Sequence, residues 1–185
     1  MKDPVGLNVA GVIDVLNNLF DDEIWDDDVT RTAARVISFW QEFVPRDMNF
    51  NATTFPVTAQ QMVLVTNIEF TSICAHHLLP FFGTAHVAYL PHRLAIGVSK
   101  IPRVVEWLSR SPQVQERLTN QIADWMQDAL EPKGTAVVMS ATHTCMACRG
   151  IMSKNARMVT SEMRGIFLTA SGPKDEFFDL IGEVK

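Results

Sequence analysis

The segment Ser72-Ile73-Cys74-Ala75-His76-His77 comes directly after a stretch of alternating apolar and polar residues, and the rest of the chain is organised around it. Cys74 and His77 are three residues apart, so a thiolate and an imidazole can leave one tight turn toward a common point. A second segment, Thr142-His143-Thr144-Cys145, supplies a further cysteine about seventy residues later. Two sulfur ligands and one nitrogen ligand form a set that suits zinc.

The number of ligands bears on what a metal would do here. A structural zinc normally has four protein ligands, whereas Cys74, His77 and Cys145 leave a position for water, whose pKa zinc lowers to roughly 7. Each segment also carries a spare histidine, His76 in the first and His143 in the second, and imidazole titrates near neutral pH. The residues alone favour a catalytic zinc site. They leave open a structural zinc and a pair of Cys/His motifs that bind no metal.

The composition narrows the class of protein. The chain has 185 residues, of which 47% are hydrophobic, enough for one packed domain with an N-terminal extension. A net charge of -5 and a pI near 5.5 argue against a general nucleic-acid or membrane-surface binder, since such binding needs a broad basic face. Three cysteines, no leader after Met1 and no apolar run long enough to span a bilayer predict a soluble, cytoplasmic protein.

Hydrophobic periodicity predicts the secondary structure. Apolar residues at helical spacing indicate helices over 6–20, 29–44, 100–109 and 175–184, and a further helix that begins at Ser111-Pro112 with Pro112 in the first helical position. An alternating stretch rich in Val, Ile and Thr indicates a strand over 61–70, and further strands are predicted over 82–90, 135–144 and 157–168. The acidic run 21–28 is predicted to be a solvated turn, and 46–60 a loop.

These elements predict an α+β fold. The expected architecture is a mostly antiparallel four-stranded sheet with two helices on one face, preceded by an N-terminal helical extension. We place the extension at residues 1–50 and the main domain at 51–185. Ser99 is the expected N-cap of the helix over 100–109. The exposed edges of so small a sheet also predict assembly across subunits.

Four short segments carry a family resemblance. They are 74–80, 97–100, 113–118 and 143–150, and they occur in the order found in GTP cyclohydrolase I, which the sequence resembles from about residue 30 to residue 181. Residues 32–36, Thr-Ala-Ala-Arg-Val, are similar to the family's Thr-Pro-x-Arg-Val helix start, with Ala33 in place of proline. The resemblance implies a tunnel fold and a homodecamer of two face-to-face pentamers, with active sites shared between subunits.

The resemblance also implies a reaction. GTP is converted to 7,8-dihydroneopterin triphosphate by hydrolytic opening of the guanine imidazole ring, loss of C8 as formate, rearrangement of the ribose and ring closure. On this analogy Zn2+ is held by Cys74, His77 and Cys145 and activates the water. His143 protonates N7 of the base, and His76 is a second hydrogen-bonding group beside the water and the substrate.

The resemblance places the substrate on further residues. Glu116 offers two carboxylate acceptors to the N1-H and N2-H edge of guanine, a donor pattern that adenine lacks, and Gln115 is its neighbour in the same motif. The positions that match triphosphate contacts in the family are basic or hydroxyl residues, which suit phosphate oxygens: Ser99, Lys100, Arg103, Arg149 and, from its helix, Arg35.

Four other residues that resemble site residues are interpreted as having no part in the chemistry. Arg117 is predicted to lie on an ordinary solvated helix face, and His86 and His92, which match no motif, are predicted to be sheet and loop residues. Cys148 forms a Cys-x-x-Cys pattern with Cys145, which is typical of metal or redox sites. Because it corresponds to a variable position in the family, we interpret it as a bystander thiol.

Ala75 departs from the family pattern. The family reads Cys-Glu-His-His where this chain has Cys-Ala-His-His, so a carboxylate beside a zinc ligand is missing. This favours, as an alternative, a catalytically impaired relative that binds GTP or a pterin.

Two other enzyme classes fit the sequence less well. A tunnel-fold enzyme with a nucleophilic cysteine and no zinc, such as the nitrile reductase of deazaguanine synthesis, is opposed by the two Cys/His segments. The signature of zinc nucleoside deaminases is absent from the sequence. Whether the product enters folate, another pterin or deazaguanine synthesis stays open.

Overall fold

The computed structural model describes residues 9–20, 29–45, 47, 52–58 and 61–183. The chain divides into two compact units, Met1–Val44 and Pro45–Lys185. None of the described helices combines the length and the apolar composition that a membrane crossing needs.

The first unit holds two helices that contact each other, α1 (Val9–Leu19) and α2 (Val29–Gln41). Both predicted helices are confirmed where the chain is described, with Ala33 and Ile37 buried on α2. α2 ends at Gln41 rather than at residue 44, because the Phe43 N–H turns back to the carbonyl oxygen of Trp40 at 2.9 Å. The predicted acidic turn over 21–28 lies outside the described residues.

The second unit contains one large and one small sheet. The strands are, in chain order, β1 (Thr54–Pro56), β2 (Val63–Cys74), β3 (Pro80–Leu90), β4 (Leu94–Ile96), β5 (Pro112–Gln113), β6 (Gly134–His143) and β7 (Met158–Gly165). The large sheet has the order β5-β2-β3-β6-β7, and β1 pairs with β4. Neighbouring strands are antiparallel except β5, which runs parallel to β2. The α+β class is confirmed. The prediction of four strands is wrong, because β5 makes the sheet five-stranded and mixed, and β1 lies within the predicted loop 46–60.

The segment predicted to start a helix at Pro112 is the edge strand β5. Pro112 and Gln113 pair with the last two residues of β2, and the Gln113 carbonyl oxygen accepts a hydrogen bond from the Ala75 N–H at 2.9 Å. Proline has no N–H to donate to a ladder, which suits it to an edge strand as well as to a helix start. The following helix therefore begins at Gln115, three residues after Pro112.

Helices cover both faces of the large sheet. They are α3 (Lys100–Ser109), α4 (Gln115–Leu130), α5 (Thr144–Ala147), α6 (Ile166–Thr169) and α7 (Ser171–Glu183). α3 and α4 pack with Val87 of β3, whereas the next residue, Ala88, packs with Phe167 of α6 and Phe177 of α7. Consecutive strand residues point to opposite faces, so α6 and α7 lie on the face opposite α3 and α4. The prediction of helices on one face is right for α3 and α4 and wrong for the C-terminal helices.

The ends of two elements differ in detail from their predictions. The predicted strand over 157–168 ends at Gly165, which has a φ of +58°. A Cβ there would lie 2.2 Å from the carbonyl oxygen of Lys133, so the close approach requires glycine. Ile166 then donates to the same oxygen at 3.0 Å and begins α6. Ser99 directly precedes α3 as predicted, but its side chain makes no capping hydrogen bond.

Candidate metal centre and active site

The three predicted metal ligands come together. The ligand atoms of Cys74, His77 and Cys145 lie within 4.8 Å of one another, the single such group of His, Cys, Asp and Glu in the described part of the chain. Sγ of Cys74 is 3.7 Å from Nδ1 of His77. Tetrahedral zinc with ordinary Zn–S and Zn–N bonds would hold these two atoms about 3.6 Å apart. The donor set and its spacing therefore fit a zinc ion.

The first two ligands lie on a tight turn after β2. The Cys74 N–H donates to the carbonyl oxygen of Leu79 at 2.8 Å, and the Leu78 N–H returns to the Cys74 carbonyl oxygen at 2.8 Å. Leu78 has a φ of +52°, a conformation that costs a residue with a Cβ about 1 kcal/mol. The turn tolerates this strain because hydrogen bonds close it on both sides, and it places His77 beside the sulfur of Cys74.

The third ligand, Cys145, directly follows β6, and β3 lies between β6 and β2 in the sheet. β3 is antiparallel to both β2 and β6, so β2 and β6 run in the same direction. Their C-terminal ends therefore lie on the same side of the sheet. Thr144 Oγ1 donates to the carbonyl oxygen of Pro80, the first residue of β3, at 2.6 Å. This bond fixes the start of α5 beside the start of β3 and holds Cys145 near the turn that follows β2.

The two sulfurs influence each other. Burial and the adjacent sulfur of Cys74 raise the pKa of the Cys145 thiol, while the positive charge of Arg149 lowers it. Two thiols held side by side resist ionising together unless a cation balances them, and a coordinated thiol is deprotonated outright. The pair is thus chemically suited to a divalent metal. The effect of Arg149 also places that guanidinium near the group.

His143 is buried next to the ligands. The residue is 8% exposed, and its ring stacks on Phe81, with centroids 4.5 Å apart and planes 6° from parallel. Nε2 lies 2.8 Å from Oε1 of Gln115. Burial lowers the pKa of His143, and the negative charge of Glu116 opposes that shift. At neutral pH the resting ring is therefore mainly neutral.

His76 occupies a different position from His77. Its Nδ1 is 3.8 Å from the Cys74 sulfur, nearly the distance found for His77, and the two rings are 6.2 Å apart. Only His77 also approaches Cys145 closely enough to join the ligand group. Both imidazoles are exposed. The geometry thus includes His77, and not His76, in the group of three possible ligands.

Glu116 and Gln115 open α4 and differ sharply in exposure. Glu116 is exposed in the first helical turn, where a negative charge is favourable. Gln115 is 1% exposed, and its amide is bound to protein groups. The charge of Glu116 acts on His143, so both residues lie near the metal group.

The predicted triphosphate residues lie on several different elements. Arg149 lies near Cys145, whereas Ser99, Lys100 and Arg103 lie at the start of α3 and Arg35 lies on α2 of the first unit. Arg103 lines a cavity of about 610 Å³ with residues that include Glu69, Phe82, Thr84, Arg110 and Arg157. The described residues of this cavity include none of the three metal ligands and not His143. The positions of these residues leave their binding roles as predictions.

Some contacts at the site have no signal in the sequence. Phe81 stacks on His143, yet it lies just outside the strand predicted over 82–90. Arg117, predicted to be simply solvated, is exposed but donates to Oε1 of Gln113 at 2.8 Å and to the carbonyl oxygen of Pro112 at 2.6 Å. It therefore ties β5 to α4, and the prediction that it lies on a solvated helix face is confirmed. Cys148 is an exposed free thiol.

Comparison with known proteins places this arrangement in a family. The family model for GTP cyclohydrolase I matches residues 9–182. The GTP cyclohydrolase 1 of Sulfurihydrogenibium sp. (strain YO3AOP1) is 48% identical over 155 residues, which cover 83% of this chain and 83% of the relative. That of Aquifex aeolicus (strain VF5) is 47% identical over 152 residues, covering 81% and 82%. A crystal structure of the archaeosine synthase QueF-Like in the apo form is 13% identical, covers 58% of this chain and 97% of its own, and has a TM-score of 0.48. From the family match and these identities over most of its length, the chain belongs to the GTP cyclohydrolase I family.

Proposed function

We propose that this chain hydrolyses GTP to 7,8-dihydroneopterin triphosphate and formate at the group formed by Cys74, His77 and Cys145. The observation that carries the proposal is the convergence of these three ligand atoms within 4.8 Å, with a buried histidine two residues from one of them. Family membership supplies the reaction. We assign residues of this chain to each part of that reaction.

The metal is proposed to be Zn2+. Two thiolates and a neutral imidazole balance the charge of a divalent ion, and three ligands keep one position open. When bound, zinc supplies a nucleophile at neutral pH by lowering the pKa of water. The protein groups then have to orient the base, move protons and hold the charged substrate.

Proton transfer is assigned to His143, with His76 as a second hydrogen-bonding group. His143 is neutral at rest, so it can take up a proton from water and pass it to N7 of guanine as the imidazole ring of the base opens. Its stacking on Phe81 keeps the ring in one plane. His76 is exposed beside the Cys74 sulfur, where it can hydrogen-bond to water or substrate.

Guanine recognition is assigned to Glu116. A carboxylate at the start of α4 accepts from N1-H and N2-H of guanine, and an adenine base would leave those acceptors without donors. The carboxylate is also close enough to act on the pKa of His143, so a base held by Glu116 would lie within reach of the proton-transfer group.

The triphosphate is assigned to Ser99, Lys100, Arg103, Arg149 and Arg35 in a tunnel-fold homodecamer. Support for shared sites comes from Arg103, which lines a cavity whose described lining includes none of the metal ligands. We therefore assign its guanidinium to the site of a neighbouring subunit. Exposed apolar side chains on the sheet and its flanks, among them Phe82, Val159 and Leu168, fit burial between subunits.

The decisive experiment measures two products. Purified zinc-loaded protein is incubated with GTP, formate is quantified, and neopterin fluorescence is read after oxidation. We expect both products from GTP and neither from ATP. Formate without neopterin would support the alternative of an impaired relative, which Ala75 favours. Tight GTP binding with neither product would contradict the enzyme assignment.

A further inference from the structure

The amide of Gln115 has a fixed orientation inside the protein. Its Nε2 lies 3.3 Å from the carbonyl oxygen of Met139, 3.1 Å from that of Met158 and 3.1 Å from Oγ1 of Thr160. Carbonyl oxygens can only accept, so the NH2 group must face them. The amide oxygen, Oε1, is thereby directed to His143, with 2.8 Å between it and Nε2 of the ring.

Two threonine hydroxyls fix the same orientation. Oγ1 of Thr119 donates its proton to the backbone carbonyl oxygen of Gln115 at 2.8 Å. Its second hydrogen bond, 2.6 Å to Oγ1 of Thr160, must then be one in which Thr160 donates. The single proton of Thr160 is used there, so Thr160 can only accept from the amide of Gln115. Turning the amide over would break this closed ring of hydrogen bonds.

The amide oxygen dictates which nitrogen of His143 carries a proton. Because Oε1 of Gln115 has no proton to give, Nε2 of His143 must be the donor, and Nδ1 bears the lone pair of the neutral ring. Nδ1 makes no hydrogen bond within the described part of the chain, and it is not sealed from solvent. Stacking on Phe81 opposes rotation of the ring out of this plane.

We propose that Gln115 is a positioning residue, which locks His143 in the Nε2-H tautomer so that Nδ1 is the nitrogen that exchanges protons with the substrate. The inference rests on the proton-transfer role proposed above for His143. It gives the buried amide of Gln115 a role different from the substrate binding that its motif predicts. In this proposal, Glu116 is the residue in the first turn of α4 that binds the guanine base, and Gln115 does not contact it.

The direct test is 15N NMR of the zinc-loaded protein, labelled at its five histidines, at a pH where the ring is neutral. The signals of His143 are assigned by their loss in His143→Asn. Protonated and bare imidazole nitrogens resonate far apart, and couplings to the ring protons identify each. We expect a protonated Nε2 in the parent and a mixture of tautomers in Gln115→Met, which keeps the side-chain length without an acceptor. A protonated Nδ1 in the parent overturns the proposal, even if the variant does not fold.

Kinetics separate positioning from substrate binding. Gln115→Met should lower kcat for formate release by about tenfold or more and change KM for GTP by less than about threefold, since proton transfer acts on the chemical step. Gln127→Met is the matched control on the same helix, where the amide bonds Pro132 and Thr135, and it should change neither constant. A raised KM with unchanged kcat overturns the proposal. The NMR result needs no turnover, so a parent protein that releases no formate would contradict the proposed function and leave the tautomer assignment to its own test.

Discussion

The two segments that meet at the metal group are built in opposite ways. The turn after β2 presents His76 and His77 to solvent and is closed by hydrogen bonds between backbone groups. The end of β6 buries His143 between a stacked phenylalanine and the bonded amide of Gln115. A turn closed by its backbone can bring ligands to a metal while staying accessible. A buried ring is held in one orientation. We therefore expect loss of a ligand in the turn to act on metal binding and loss of the buried histidine at the end of β6 to act on the reaction.

The largest difference is expected when the two histidines of the turn are replaced one at a time. His77→Ala removes a ligand and should weaken zinc binding by more than about 100-fold, because loss of a mere supporting partner already costs 10- to 100-fold. His76→Ala is the matched control in the same turn and should keep about one zinc per chain. Competition with a chromophoric chelator measures both. Loss of zinc from His76→Ala with retention in His77→Ala would reverse the ligand assignment.

The buried segment should respond in the opposite manner. His143→Ala should retain zinc and lose formate release by roughly 100-fold, the lower range for a general acid or base. Elemental analysis and a formate assay on the same preparation give both values. His92→Ala, an exposed histidine on a loop, is the control and should match the parent. Formate release at the parent rate by His143→Ala would move proton transfer to another group, with His76 as the first candidate.

A smaller effect, on GTP affinity, is expected from replacing Glu116, the exposed residue at the start of α4. Glu116→Ala should weaken GTP binding by about 2 kcal/mol, the scale for hydrogen bonds to a charged group, and narrow the preference for GTP over ATP. Calorimetric titration with a GTP analogue that is not hydrolysed measures it. Asp128→Ala removes an exposed charge from the same helix and should leave affinity unchanged. An unchanged nucleotide preference in Glu116→Ala would remove this residue from base recognition.

The same contrast explains what could be predicted from sequence. The ligands of the turn form a local sequence pattern, and β2 shows the alternation of a half-buried strand over part of its length, whereas β6 is almost wholly buried. β5 could not be found this way, because two residues have no periodicity and Ser111-Pro112 is also a helix-start signal. The order β2-β3-β6, which joins the two segments, follows from pairing between distant stretches.

The surroundings of His143 were beyond sequence reasoning for a related reason. Gln115 meets Met139, Met158 and Thr160, which are 24 to 45 residues away along the chain. Those contacts depend on the register of β6 and β7 under α4, and no short pattern encodes a register across three elements. A buried polar residue at the start of a helix gives no sign of its partners until the sheet is assembled.

The smallest expected effect tests the departure at Ala75, within the exposed turn. The side chain of Ala75 is exposed, and its N–H bonds the carbonyl oxygen of Gln113, a contact that any side chain keeps. Ala75→Glu therefore restores the family's carboxylate without disturbing the turn. Opening of the guanine ring needs the metal ligands and His143, so the rate of formate release should stay the same. The later rearrangement of the ribose moves protons and has more use for an added base.

We accordingly expect neopterin formation to lag behind formate release in the parent and to become about threefold faster in Ala75→Glu, a gain kept small because water can carry the same proton. Single-turnover measurement of both products gives the two rates. Ser171→Glu adds the same charge at the exposed start of α7 and serves as the control, with no change in either rate. If the two products appear together in the parent and Ala75→Glu changes nothing, the carboxylate is dispensable in this chain. In that event the exposed turn serves the metal, and proton transfers of the rearrangement belong to groups outside it.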